Sequence, residues 1–364
     1  MIRTFLSAAV VACSVAAQAG ADDAIDVIFI NPGNETQFWG EVSDTMLAAA
    51  QDLDINLEII HTHRDRIKMV NAAVELASRE DKPDYAIIVN ELLQGPLLMA
   101  ALEDAHIPTF ELLNRLTDEQ RADYLSSGRT MQQVVGSIVP DNEIAGYEMA
   151  WSLIKAARNA GKNVDGITML ALLGDAATPA ALQREAGMRR ALDEAGDVTL
   201  VRSFPVLWSQ ETAYKRTAKM LSRVSLDTIW SANDQISFGA QQAAREAGLI
   251  PGEDTFFAGL NWSADGLEAV ANNQMTLTHG GHFFAGAWSM VLLRDIHDGR
   301  LARGSHVEFP MSAVDRSNVE GFLKNFASRN WDDVDFSQFR CGSEGAASYL
   351  FTTQSILSAT GKAY

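Results

Sequence analysis

The groups best suited to chemistry in this sequence are amides, carboxylates, guanidinium and aromatic rings that recur just after short apolar runs. The stretch NPGNETQFWG follows the run DVIFI and carries Asn31, Asn34, Gln37, Phe38 and Trp39. YAIIVN ends in Asn90 with Glu91 behind it, and PTFELL leads into Asn114 and Arg115. Farther on, LLGDAATPAALQREAGM supplies Arg184, FPVLWSQ supplies Trp208, WSANDQ supplies Asn233 and Asp234, and GLNWSADG supplies Asn261 and Trp262. Aromatic faces pack on the C–H faces of a polyhydroxylated ring while Asn, Asp and Arg pair with its hydroxyls, so the set suits a sugar-like molecule. Taken singly, each Asn or Asp also reads as a helix cap or turn former, and Trp208 as a cover for its own domain. Arg184 lies among small residues, where a cation needs a partner.

Other chemistries lack their residues. No G-x-G-x-x-G and no G-x-x-x-x-G-K-[ST] is present, so the backbone cradles for dinucleotide or NTP phosphates are missing. Neither a G-x-S-x-G elbow nor an H-E-x-x-H zinc motif occurs. His61 and His63 could share a metal, but no third ligand lies near them, and no metal or cofactor is expected. The formal net charge of -18 and pI of about 4.7 argue against nucleic acid or an anionic membrane as partner.

The elements that position these groups are legible as ten short runs rich in Ile, Val, Leu, Phe and Thr: DVIFI, LEIIH, YAIIVN, PTFELL, VVGSIV, ITMLALLG, TLVRSF, TIWSAN, TFFAGLN and MTLTHG. They mostly lack polar alternation, as strands buried on both faces do. Segments of helical period separate them. In EIAGYEMAWSLIKAARNAG the residues Ile144, Tyr147, Trp151 and Ile154 fall on one face, and Gly161 closes the helix; Gly196 and Gly248 close two others. Strand, helix, strand in repetition means parallel sheets covered by helices. Ten strands exceed what one open sheet readily holds, which predicts two Rossmann-like lobes of five strands. The division falls near SIVPDNEIAG, where Asp141 or Asn142 caps the next helix. In such sheets ligands bind outside the carboxyl ends of the strands, where the candidate groups sit.

The N-terminus has one Arg, an apolar stretch from Thr4 to Ala17 and the triplet Ala17-Gln18-Ala19, which reads as a secretory signal peptide over residues 1–21. VVAC, ending at Cys13, is a weak lipoprotein box, and lipidation there is not expected. Removal of the signal leaves Cys341 as the one cysteine, which predicts a fold held without an internal disulfide.

VGSIVPDNEIAGYEMA, LGDAATPAALQREAGM, IWSANDQISFGAQQAAREAG and FAGLNWSADGLEAV together resemble segments of the type I periplasmic solute-binding proteins of the ribose and galactose branch. The resemblance runs from about Ile25 to Phe309. It implies aromatic ligand contacts from Phe38, Trp39 and Trp208, and polar ones from Asn90, Asn114, Arg184, Asn233 and Asn261. It also implies three hinge segments, near Val139 to Asp141, His279 to His282 and Phe309 to Met311, about which two lobes close on ligand. Three departures stand out. Asn261 replaces an Asp common in sugar binders, THGGHFF replaces a Gln at the second hinge so that His279 or His282 faces the cleft, and the first loop, with Asn34, is long. That loop is similar to the one in the periplasmic receptor of the autoinducer-2 signal.

The resulting expectation is an α/β protein with an N-terminal lobe of residues 22–139 plus 281–309 and a C-terminal lobe of 140–280 plus 310–364, the latter with an extended tail. As the resemblance implies, it would be a monomeric, non-enzymatic periplasmic protein that captures a small sugar-like ligand for an inner-membrane ABC permease. A ligand sensor for a membrane histidine kinase is the first alternative. A periplasmic enzyme using Asp234 with His279 or His282 is the second.

Overall fold

The computed structural model describes residues 24–162, 166–326, 328–342 and 349–359, so the expected signal peptide and Cys13 lie outside the described residues. In chain order the elements are β1 (Ile25–Asn31), α1 (Gln37–Asp52), β2 (Ile55–His61), α2 (Arg66–Ser78), β3 (Tyr85–Ile88), α3 (Gly95–Asp104), β4 (Thr109–Leu112), α4 (Asp118–Ser126) and β5 (Val134–Pro140). There follow α5 (Asn142–Asn159), β6 (Ile167–Leu173), α6 (Pro179–Ala195), β7 (Val198–Pro205), α7 (Gln210–Leu221), β8 (Thr228–Ser231), α8 (Asp234–Glu246), β9 (Phe256–Leu260), α9 (Ala264–Ala271) and β10 (Leu277–Gly280). The last are α10 (Ala285–His297), β11 (Ser305–Phe309), β12 (Ser312–Asp315), α11 (Val319–Phe326) and α12 (Thr353–Ala359).

The chain divides into two compact α/β units. The first runs to Pro140, resumes over Phe283–Pro310 and takes in the described residues from Trp331 onward. Its sheet has the order β11-β5-β4-β3-β1-β2 and is parallel throughout. Ile28, Ile30, Ala86 and Ile88 on one face of that sheet pack on Met69, Leu76, Leu98 and Leu102 of α2 and α3. The second unit comprises Asp141–His282 and Met311–Asn330, with strand order β12-β10-β9-β8-β6-β7. Only β12 runs antiparallel to its neighbour. All ten apolar runs are strands. The two additional ones are short edge strands, β11 (SHVEF) and β12 (SAVD), whose polar content hides them because an edge strand need not be apolar on both faces.

Other expectations are corrected. The helix face of α5 that is buried runs through Ala145, Met149, Ala150, Leu153, Ile154 and Ala157, whereas Ile144 is 41% exposed and Tyr147 and Trp151 are half-buried. The reason is close helix packing against α6. A Cβ on Gly146 would lie 2.0 Å from Arg184 O, and one on Gly187 would lie 1.9 Å from Glu143 O, so only glycine permits this approach. Asp141 is the residue that caps α5, accepting from Ile144 N at 2.9 Å.

The tail does not stay with the second unit. From Trp331 it packs on the first, where Trp331 meets Phe283 and Phe284 with centroids 5.6 and 4.9 Å away, and Phe351 stacks on Trp288 at 4.9 Å. Asp295 of α10 holds it as well, accepting from Arg340 Nε (2.8 Å), Cys341 N (2.7 Å) and Tyr349 Oη (2.8 Å). The chain therefore passes between units four times, after Pro140, His282, Pro310 and Asn330, where three passages were expected.

Candidate functional site

Backbone strain collects at the carboxyl ends of the strands. Positive φ angles occur at His63 and Arg64 after β2, Leu92 and Leu93 after β3, Leu113 after β4, Leu207 and Trp208 after β7, and Asn261 and Trp262 after β9. Non-glycine residues held there cost free energy, and such positions gather at ligand sites.

In the first unit, β1 delivers a loop built around Asn31. Its buried side chain donates to Trp39 O (3.2 Å) and Ser43 Oγ (3.0 Å) and accepts from Gly33 N (2.8 Å), which fixes the loop to the start of α1. Asn34 is exposed and closes a local turn, accepting from Thr36 N and Oγ1 at 3.2 and 3.1 Å. Phe38, half-buried, meets Trp39 edge to face with centroids 5.1 Å apart. Trp39 lies over Gly33, is 6% exposed, and its indole Nε1 is buried without a hydrogen-bond partner. A buried donor left without an acceptor costs free energy that a ligand oxygen would recover. Asn90 and Asn114 are brought together, Asn90 N donating to Asn114 O at 2.8 Å. The Asn90 side chain is spent on local structure: it accepts from Gly95 N and donates to Arg115 O and Gln120 Oε1. It builds the loop and offers little to a ligand.

The second unit assembles a more compact array. Trp208 lies on Gly174 so closely that a Cβ there would fall 2.2 Å from the ring, and its Nε1 donates to Asp175 Oδ2 at 2.7 Å. Asp175, 4% exposed, also accepts from Ala177 N (2.7 Å), Thr178 N (2.6 Å) and Thr178 Oγ1 (2.7 Å). Burial alone would raise its pKa, but these donors outweigh it and hold the carboxyl below the ordinary range. Arg184 stands 5.9 Å from the Trp208 centroid, within cation–π range. Its Nε donates to Asn142 Oδ1 (2.9 Å), Nη1 to Ala232 O (2.9 Å) and Nη2 to His282 Nε2 (3.4 Å). Burial first, then the adjacent Arg184 and His279, push His282 well below its ordinary pKa, so it is a neutral ring that accepts from Arg184.

Asn233 is 9% exposed and caps α8, its Oδ1 accepting from Ile236 N at 2.9 Å, while its amide nitrogen makes no hydrogen bond to a described residue. Asn261 is held at φ 140, and its side chain makes no hydrogen bond among the described residues. His279 is 1% exposed. Its Nε2 lies 2.8 Å from Glu148 Oε2, and because a carboxylate only accepts, Nε2 donates, while Nδ1 is buried without a hydrogen-bond partner.

Sequence reasoning did not include Asp175 or Asn142 in the site, although Asp175 holds Trp208 and Asn142 holds Arg184; His282, which it offered beside His279, is the one that meets Arg184. Two groups it noted at strand ends turn inward. Trp262, 1% exposed, packs on Phe322 and Phe326 of α11 and donates to Ser312 O at 3.0 Å. Asp234 is fully buried and accepts from Thr278 Oγ1, Ser263 N and Ser263 Oγ, tying α8 to β10 and the loop before α9. Among the described residues no group of three or more His, Cys, Asp or Glu could hold a metal ion, and no helix is long and apolar enough to cross a membrane.

A family model described as a periplasmic binding protein domain matches residues 27–300. The ribose import binding protein of Haemophilus influenzae is 27% identical over 291 residues, which are 76% of this chain and 86% of that protein. The galactofuranose-binding protein of Escherichia coli is 22% identical over 255 residues, 69% and 74% of the two chains. The crystal structure of a periplasmic sugar-binding protein from Pseudomonas fluorescens aligns with a TM-score of 0.81 at 34% identity, covering 92% of this chain and 99% of that one. With two α/β sheets whose strands all run parallel except β12, and a family model that matches most of its length, this chain belongs to the periplasmic binding protein family, in its ribose and galactose branch.

Proposed function

We propose that this protein captures a small sugar or sugar-like solute in the periplasm with strand-end side chains and delivers it to an inner-membrane ABC permease. The observation that carries the reading is the Asp175-Trp208-Arg184-Asn142 array. A ring pinned by a buried carboxylate lies beside a guanidinium that donates to Asn142 Oδ1 and Ala232 O. This gives a C–H-binding face and a hydroxyl-binding fork with their geometry fixed before ligand arrives. The relatives named for ribose and galactofuranose support the same solute class. Capture rather than catalysis is favoured because Asp234, the acid an enzyme reading would use, has its oxygens occupied by structural donors.

A thermal-shift screen against pentoses, hexoses, sugar acids, polyols and furanosyl borate tests the reading. A true ligand at about 100 times Kd adds about 2.7 kcal/mol to stability. Trp208→Ala and Trp39→Ala should each abolish most of the shift. A full shift retained in both variants would remove the strand-end groups from the site.

A further inference from the structure

Away from the strand ends, a groove of about 520 Å³ runs along the surface of the second unit. One wall is a stripe of α8 that carries Gln235, Phe238, Gln242 and Arg245 at intervals of three or four residues, so that they share a face. The other wall is a stripe of α9 containing Asp265, Glu268 and Asn272. Where Arg245, Asn272 and Gln274 stand, the groove joins a second of about 510 Å³ beside Gly248–Pro251.

The lining is unusual for an exposed face of so acidic a chain. Six carboxamides converge on the first groove, from Gln210, Gln235, Gln241, Gln242, Asn272 and Gln274. Gln241 is 1% exposed yet lines it. Arg245 is held by neutral oxygens, its Nη2 donating to Gln241 Oε1 (3.2 Å) and Gln274 Oε1 (2.8 Å). The side chains of Gln210, Gln235 and Asn272 make no hydrogen bond to a described residue.

A primary amide donates and accepts at once, which matches a hydroxyl group better than it matches an ion. Asp265 and Glu268 disfavour an anion, and with six carboxamides against three charged groups the lining suits a neutral polyhydroxylated ligand. Phe238, half-buried, offers a ring for C–H contact. The stripe from Gln235 to Arg245 spans about 15 Å along α8, longer than a single sugar ring. We propose that this groove binds a neutral oligosaccharide, at a site separate from the strand-end groups.

Isothermal titration calorimetry of the full chain with maltotetraose, cellotetraose and chitotetraose tests this. At least one should bind with a Kd of about a millimolar or tighter, and Gln235→Ala combined with Gln242→Ala should weaken it about tenfold or more. Gln242→Glu, a surface change that adds a like charge beside Glu246, to which the Gln242 amide donates at 3.0 Å, and removes the amide donors, should weaken it in the same direction. Absence of binding by all three probes would overturn the proposal, as would unchanged affinity in the groove variants. Loss of tetrasaccharide binding in Trp208→Ala would also overturn it, by placing the oligosaccharide at the strand ends.

Discussion

The bond between Trp208 Nε1 and Asp175 Oδ2 sets the orientation of the best-formed binding surface, and its strength can be isolated. Asp175→Asn places an NH₂ group where Oδ2 stands or turns the amide so that the backbone donors lose their acceptor. In either rotamer at least one of the four donors now facing the carboxylate is left unmet. Trp208→Phe removes the N–H together with part of the ring that covers Gly174, a packing loss common to both arms of a double-mutant cycle that therefore cancels. A hydrogen bond to a charged group contributes about 1.5–3 kcal/mol, and the half-buried position of Trp208 favours the lower end of that range. A double-mutant cycle measured by urea unfolding should thus return a coupling of about 1.5 kcal/mol between the two positions. Ligand affinity should fall with it. A freed Trp208 must be ordered on binding, at about 0.5–1.5 kcal/mol, which is roughly a two- to twelvefold rise in Kd. The pH dependence has a definite sign. Asp175 is held below the ordinary carboxyl range, so its contribution is present above the unfolded-state pKa near 3.8 and is lost as pH falls through the lower folded value. A coupling within about 0.3 kcal/mol of zero, the usual scatter for independent sites, would refute the view that Asp175 holds the ring.

Three further outcomes follow from the same structure. Gly187→Ala drives a methyl group into Glu143 O and should lower stability by about 1–3 kcal/mol in thermal denaturation; an unchanged Tm would show that α5 and α6 have room to separate. Asn261→Gly relieves a residue held at φ 140 and should stabilise by about 1 kcal/mol while weakening sugar binding, and a gain in both would exclude Asn261 from the site. His306 donates to or accepts from Ser137 Oγ at 2.7 Å and is lowered to about 4 by burial, then by Arg115 and Arg121. Below about pH 6.5 the unfolded chain takes up a proton that the folded ring refuses until about pH 4. Stability therefore falls across that window, by about 1–2 kcal/mol after allowance for screening of this part-exposed ring. Urea unfolding at pH 7 and pH 5 should show His306→Asn losing less stability on acidification than the parent, and equal losses would contradict the assignment.

Eight of the ten apolar strands were legible because they lie inside a sheet and had to be apolar, and the edge strands β2 and β7 were legible because they still carry Ile, Leu, Val and Phe. β11 and β12 were not, because an edge strand can be held by one neighbour while carrying His306, Glu308 or Ser312. The same logic explains α5. Helical periodicity located the helix, but Tyr147 and Trp151 suggested the wrong face because the true contact is made by Gly146 and Gly187, which carry no apolar signal. At the site, the sequence position of a side chain after a strand was informative, and its direction was not. Asn90, Asp234 and Trp262 occupy the same kind of position as Asn233, Asn261 and Trp208, and they turn inward because of partners such as Gln120, Thr278 and Phe322. Those partners lie 30, 44 and 60 residues away in the chain, beyond the reach of any local pattern. Asp175 was passed over for the same reason, since the identity of its fourth donor, Trp208, depends on how β6 and β7 pair.

The fourth passage of the chain, after Asn330, sets an order of assembly. The second unit has all its strands once Asp315 has been made, and its α11 once Phe326 has. The first unit, although it begins the sequence, must wait for Trp288 and then for Phe351, which stacks on it from near the other end of the chain. Contacts of such sequence separation form late because their loop must close first. The N-terminal sheet is thus exposed longest during synthesis, and a chain shortened before Trp331 would keep β1 to β5 but leave Phe283, Phe284 and Trp288 uncovered. Truncation should accordingly appear as aggregation of the first unit while the second remains intact.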